Sequence, residues 1–128
     1  MVWHPARVDL KDWVTALDFY RHLTDRNQDF RPLCALVAHG GSQSYATSLS
    51  LATSGTALLV ARERHPEWPR DALRIDVTLS GAVRFAFPRG RLAKPKLVDC
   101  QGPDVLRVFE RFAHDADPAK PSRGRATP

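Results

Sequence analysis

Two stretches of the chain, Tyr45 to Ala61 and Ala72 to Pro88, alternate between large and small or polar side chains, and Ser-Gly interrupts each near its middle. A period of two places successive side chains on opposite faces of a strand, so both stretches read as β-hairpins. In the first, Tyr45, Thr47, Leu49 and Leu51 fall on one side and Ala46, Ser48, Ser50 and Ala52 on the other. A two-residue Ser54-Gly55 loop sets Thr53 opposite Thr56, Leu51 opposite Leu58 and Leu49 opposite Val60, which gathers the aliphatic side chains on one face. In the second, a two-residue loop would oppose Val77 to Arg84 and mix the faces. A three-residue loop, Leu79-Ser80-Gly81 with Gly81 in the left-handed bulge position, instead pairs Val77 with Val83, Ile75 with Phe85 and Leu73 with Phe87. The expected sheet is a four-stranded antiparallel meander with one apolar face.

The flanking segments have a helical period. From Asp9 to about Thr24, Leu10, Trp13, Val14, Leu17, Tyr20 and Leu23 recur at three- and four-residue steps, with Asp9 as N-cap. Val105, Leu106, Val108, Phe109 and Phe112 mark another helix, from near Pro103 to near Ala113. The apolar run Leu33 to Ala38 lies between Pro32, suited to a first helical turn, and Gly40, suited to a helix end; it is read as a short helix, with a buried strand as the alternative. Two prolines make Arg64 to Asp71 a loop, and Leu97 to Asp99 is a short extended piece. The expected architecture is an α+β two-layer sandwich, with the N- and C-terminal helices on one face of the meander. Leu49, Leu51, Leu58, Val60, Leu73, Ile75, Val77, Val83, Phe85 and Phe87 line that face, opposite Trp13, Leu17, Val105, Phe109 and Phe112.

At 128 residues, 43% hydrophobic and 26% charged, the chain has material for one core. Residues 1–113 form the expected domain. Residues 114–128 hold three prolines and no large apolar side chain, and read as a disordered basic tail. No apolar run approaches the ~20 residues that span a bilayer, and the N-terminus lacks the order of a signal peptide, so a soluble cytoplasmic protein is expected. Cys34 and Cys100 have no partner at ligand or framework spacing, and no motif calls for a metal or cofactor.

The remaining sheet face would carry Ala46, Ser48, Ser50, Ala52, Ala57, Leu59 and Ala61 on one half, and Arg74, Asp76, Thr78, Arg84 and Ala86 on the other. Side chains this small admit close packing, and the Leu33 to Ala38 segment is the expected cover. An open face for a partner is the alternative.

The net charge of +5 is concentrated. Residues 62 to 96 carry nine basic and four acidic side chains, while residues 1 to 61 carry five of each. Within the basic block, Trp68 beside Arg62, Arg64, His65 and Arg70 combines an aromatic ring with arginines, as recognition surfaces for protein or bases do. The bland reading folds Trp68 back as a lid on the sheet. Arg89, Arg91, Lys94 and Lys96 add four charges in eight residues, which attract phosphates or simply form a solvated loop. Arg74 and Arg84 belong to the same candidate surface, with Asp76 and Arg84 facing each other across the second hairpin.

His39-Gly40-Gly41-Ser42-Gln43-Ser44 is the closest approach to a catalytic phrase, although a helix end running through a glycine turn explains it as well. Asp115 and Asp117 resemble a metal pair only in spacing. The leading expectation is a non-enzymatic module that binds another macromolecule, a protein first of all, through the open face or the Trp68 loop, with a bacterial immunity or inhibitor protein as one concrete form. Nucleic-acid binding by the 62–96 block is the first alternative, and a small-ligand protein or hydrolase-like enzyme at the 39–44 turn is the second.

Overall fold

The computed structural model describes residues 8–62, 66, 68, 71–88 and 94–114. Six strands form one antiparallel sheet in chain order: β1 (Asp9–Lys11), β2 (Ser50–Ser54), β3 (Ala57–Ala61), β4 (Leu73–Val77), β5 (Val83–Phe87) and β6 (Lys96–Cys100). Three helices accompany it: α1 (Trp13–Arg26), α2 (Arg31–Gly40) and α3 (Asp104–His114). The α+β class and the antiparallel meander are as expected, and the four-strand count is corrected to six.

Both extra strands sit at the edges. The N-terminal helix begins three residues later than its apolar spacing suggests, because Asp12, not Asp9, is the N-cap. The Asp12 carboxylate accepts from the Thr15 backbone N–H at 2.7 Å, while the Thr15 hydroxyl accepts from the Asp12 N–H at 3.1 Å. This reciprocal box fixes where the helix starts and frees Asp9–Lys11 to pair with β2, Leu10 opposite Ala52. At the other edge, Lys96–Cys100 pairs with the whole of β5, Val98 opposite Phe85.

The second hairpin has the expected register: Val77 faces Val83 and Ile75 faces Phe85. Gly81 takes φ +84°, and the Thr78 N–H donates to the Ala82 carbonyl at 2.8 Å, closing the loop. The first hairpin differs. Its loop is Gly55-Thr56, with Leu51 opposite Val60 and Thr53 opposite Leu58. Gly55 has φ +61° while Thr56 does not enter the left-handed region, which places the glycine at the first central position, as a type II′ turn requires. The slip relative to Ser54-Gly55 is two residues in pairing, so every side chain keeps its face. Tyr45 to Ser48, read as the start of a strand, belong instead to a 3₁₀ helix (Ser44–Ser48) that buries Tyr45 and Ala46 in succession, which a one-sided strand does not allow.

All three helices cover the aliphatic face. The core there unites Tyr20, Leu33, Leu36, Val37 and Phe109 with Leu51, Leu58, Val60, Leu73, Ile75 and Phe85, with Trp13, Leu17, Val77 and Phe87 packed against it. Leu33, Leu36 and Val37 recur at helical spacing, so α2 joins this face and does not cover the small-residue face. Val14, assigned by spacing to the apolar stripe of α1, is 74% exposed. Buried Tyr20 donates from its phenol to the Thr56 carbonyl at 3.0 Å, tying α1 to the first hairpin turn. Burial, with the nearby Asp76 charge, pushes that phenol well above its ordinary pKa. Helix α3 runs one residue into the stretch assigned to the tail, through His114, whose ring meets Tyr45 edge-on at 5.8 Å. The rest of that stretch, 115–128, lies outside the described residues.

Gly81→Ala should lower stability by about 1 kcal/mol through left-handed strain. The measurement is a urea titration, in which the midpoint falls while the slope stays constant.

Candidate functional site

The small-residue face has a different cover from the one expected. Ala52, Leu59, Ala61 and Ala72 form a second buried cluster, against which Val8 and half-buried Trp68 pack. Trp68 therefore lies back on the sheet as a lid. Beside it opens a cleft of about 530 Å³, lined by Leu10, Lys11, Asp12 and Trp13 from the β1–α1 junction, by Ala46 to Leu51 in part, and by Pro66 and Trp68. That volume falls in the range of ligand and side-chain pockets.

One wall of the cleft is Trp13, the first residue of α1. Its indole N–H donates to the Ala46 carbonyl at 3.0 Å. Its ring lies against the end of α2, where a Cβ on Gly40 would sit 2.7 Å from Trp13 Cζ3 and 2.8 Å from Cη2. Glycine is thus needed at position 40 for close approach, and the ring is held on two sides. Trp13 also lines a second, smaller and mainly apolar depression of about 230 Å³ between α1 and α2, together with Val14, Leu17, Val37, Ala38, Gly41 and Ser42. Leu10, 71% exposed, borders the cleft, and Val14 borders the depression.

The polar groups here are few. Asp12 is held below the ordinary carboxylate range by the Thr15 backbone N–H and hydroxyl. The Lys11 ammonium lies 5.5 Å from the centre of the Phe19 ring. Asp18 is exposed and follows Val14 by four residues, on the same face of α1.

The basic candidates do not gather into one surface. The Arg62 guanidinium stacks 4.2 Å over the Phe112 ring on the helix side of the sheet, while Trp68 lies on the other side. Arg74 pairs with Asp76 at 2.8 Å. Arg84 faces Asp76 across the hairpin as expected, but its ion pair goes to Asp99 on β6, with two bonds of 2.7 and 2.9 Å. That hydrogen bonding raises the Arg84 pKa and lowers that of Asp99. Lys94 and Lys96 are exposed at the entry to β6. Arg64, His65, Arg70, Arg89 and Arg91 lie outside the described residues.

The His39 to Ser44 turn takes another form. The Ser42 hydroxyl donates to the His39 carbonyl at 2.7 Å, and the His39 Nε2 pairs with Glu110 Oε1 at 2.9 Å, so imidazole and serine are not joined. Glu110 also lies 3.9 Å from His114 Nε2. Burial raises the Glu110 pKa, but the Tyr45 phenol, the His39 hydrogen bond and the charges of both imidazoles more than offset it, and the net shift is downward. No feature of local sequence could reveal this link, since His39 and Glu110 are 71 residues apart. Among the described residues, no group of three or more His, Cys, Asp or Glu is placed to hold a metal ion, and no helix is long and apolar enough to cross a membrane. Comparison with known proteins finds no matching family, no similar curated protein and no similar solved structure.

Two substitutions test this geometry. In Gly40→Ala the gain in helix propensity, about 1 kcal/mol, is outweighed by overpacking of about 1–3 kcal/mol against the held Trp13 ring. A lower thermal midpoint together with shifted tryptophan emission is the expected result. Because the Glu110 pKa is depressed in the folded chain, its stabilising contribution is complete above the ordinary value of 4.5 and is lost as pH falls through the folded value. Glu110→Gln should therefore reduce stability by under about 1 kcal/mol at neutral pH, and acid unfolding curves should show the difference from the parent shrinking below pH 4.5.

Proposed function

We propose that this chain is a protein-binding module whose recognition site is the cleft between Trp13 and Trp68. The observation that carries the reading is the pairing of two tryptophan walls with Leu10, a large apolar side chain left 71% exposed at the edge of the sheet. Aromatic anchors in a concave, largely apolar setting are where the binding energy of protein interfaces concentrates. Strand β1 adds to this, because it ends the sheet and its outer side has no strand neighbour among the described residues. A partner segment therefore meets main-chain edge and side-chain pocket together.

The rival readings draw less support from the same geometry. Arg74 and Arg84 are engaged by Asp76 and Asp99, and Arg62 by the Phe112 ring. Three contributors to a phosphate-binding patch are thus occupied within the chain. The cleft lining itself carries one lysine and one aspartate, with no cationic surplus. At the 39–44 turn, Ser42 is bonded to backbone and His39 to a carboxylate, an arrangement that caps a helix and leaves the hydroxyl without a base.

Affinity capture from the source organism tests the reading. The wild-type chain should retain a protein partner after nuclease treatment. Trp68→Ala should weaken its recovery by about tenfold or more, the cost of losing an aromatic anchor, and Arg84→Gln should leave it intact. Recovery that disappears on nuclease treatment, or that survives Trp68→Ala, overturns it.

A further inference from the structure

We propose that the partner is a second copy of this chain, and that two copies join edge to edge by antiparallel pairing of β1 on β1 about a two-fold axis at Leu10. The inference rests on the reading of this edge as a protein-binding site, and it names the occupant.

The backbone supplies the opportunity. Strand β1 ends the sheet among the described residues. The two-residue loop of the first hairpin makes Ser54 and Ala57 a hydrogen-bonded pair, and bonded and non-bonded pairs alternate from there. Leu51 and Thr53 therefore bond toward β1, where they face Lys11 and Asp9. It follows that the N–H and C=O of Leu10 point outward, to the side where a further strand would lie. Such an edge is a template for another chain.

The side chains select that chain. Leu10, 71% exposed, is flanked by Asp9 and Lys11. Antiparallel pairing about Leu10 sets each copy's Asp9 opposite the other's Lys11, and brings Leu10 against Leu10 at the border of the cleft. Asp9 and Lys11 then occupy the non-hydrogen-bonded pairs, where facing side chains come closest. An ionised carboxylate accepts at about four lone-pair sites, so a cation from a second copy adds to the contacts Asp9 makes within its own chain. The Lys11 ammonium, 5.5 Å from the centre of the Phe19 ring, ends a flexible stem that can swing to the strand edge.

The same charges discriminate between registers. A two-fold axis pairs a strand with itself only about one of its own residues. An axis at Asp9 opposes two carboxylates, and an axis at Lys11 opposes two ammonium groups, so the axis at Leu10 is favoured. The other sheet edge has no such match. Lys96 and Asp99 of β6 are three residues apart and on opposite faces, so no pairing of β6 with itself sets one against the other.

Sedimentation equilibrium of the full-length chain should show monomer passing to dimer between about 1 μM and 1 mM, the range of a small interface. Asp9→Lys and Lys11→Asp each oppose like charges, and each should weaken the dimer about tenfold or more. Mixed in equal amounts, the two variants should associate again, because one presents two cations and the other two anions. Circular dichroism equal to the parent's will show that both fold. Leu10→Cys reads the register without altering charge: mild oxidation should link two copies through position 10, since facing Cα atoms about 5.5 Å apart lie within disulfide reach. A chain that stays monomeric throughout that range, single variants that dimerise like the parent, a mixture that stays monomeric, or no peptide joined through position 10 would overturn the self-pairing. The cleft reading survives those results if a different protein is captured and is lost on Trp68→Ala. A charge-dependent dimer indifferent to Trp68→Ala would strike the cleft and not the pairing of β1.

Discussion

The contact between Trp13 and the end of α2 fixes more of this molecule than its size suggests. An indole at a half-buried position must satisfy its N–H, and the Ala46 carbonyl does so at 3.0 Å. Its six-membered ring then occupies the place a side chain at position 40 would take. One residue thereby joins the start of α1, the end of α2 and the 3₁₀ segment Ser44–Ser48 that leads into β2. The cleft wall is a product of this junction. The same residue also lines the α1–α2 depression.

The two faces of the sheet are stabilised by different physics. Under the helices, aliphatic side chains and an aromatic series carry the burial, with Phe85, Phe87 and Phe112 in sequence and Tyr45 against Phe109. On the open face, β2 and β3 present small residues beneath Trp68, while β4, β5 and β6 present Arg74, Asp76, Arg84 and Asp99 in mutual pairs. Exposed pairs of this kind add little to stability. Their larger effect is to cancel charge locally, so that the basic character of residues 62–96 is not expressed over this half of the sheet.

Much of the fold follows from side-chain period, and the departures occur where period is uninformative. Residues 73–87 define their own pairing because only one loop length keeps Leu73, Ile75 and Val77 with Val83, Phe85 and Phe87. The first hairpin slips by two residues because hydrophobic pattern cannot distinguish registers of equal parity; the position of Gly55 decides it. Asp9 and Asp12 both suit an N-cap, and Leu10 lies three residues before Trp13, so a strand was hidden within a helical spacing. Thr15, three residues after Asp12, carries the missing signal. The docking side of α2 was open because both sheet faces accept apolar cover. Trp68 as a lid was readable from the tendency of large aromatics to be buried. The cleft was not, since Leu10, Trp13 and Pro66 come from segments that only tertiary folding brings together, and the same holds for His39 with Glu110.

The sheet order also has a kinetic content. Every ladder except one joins strands close together in sequence; the first hairpin closes over two residues, and the Thr78–Ala82 hydrogen bond closes the second over three. The β1–β2 ladder instead spans residues 12 to 49, including two helices, and consists of three residue pairs. Closing a loop of that length costs the most chain entropy for the fewest pairings. Strand β1 is therefore the last part of the sheet to be secured as the chain folds and the first to open in the native state, where hydrogen exchange would find its amides least protected. Since Leu10 and Lys11 form one side of the cleft, the cleft is assembled only when the rest of the sheet is complete, and any molecule bound there would hold shut the weakest seam of the structure.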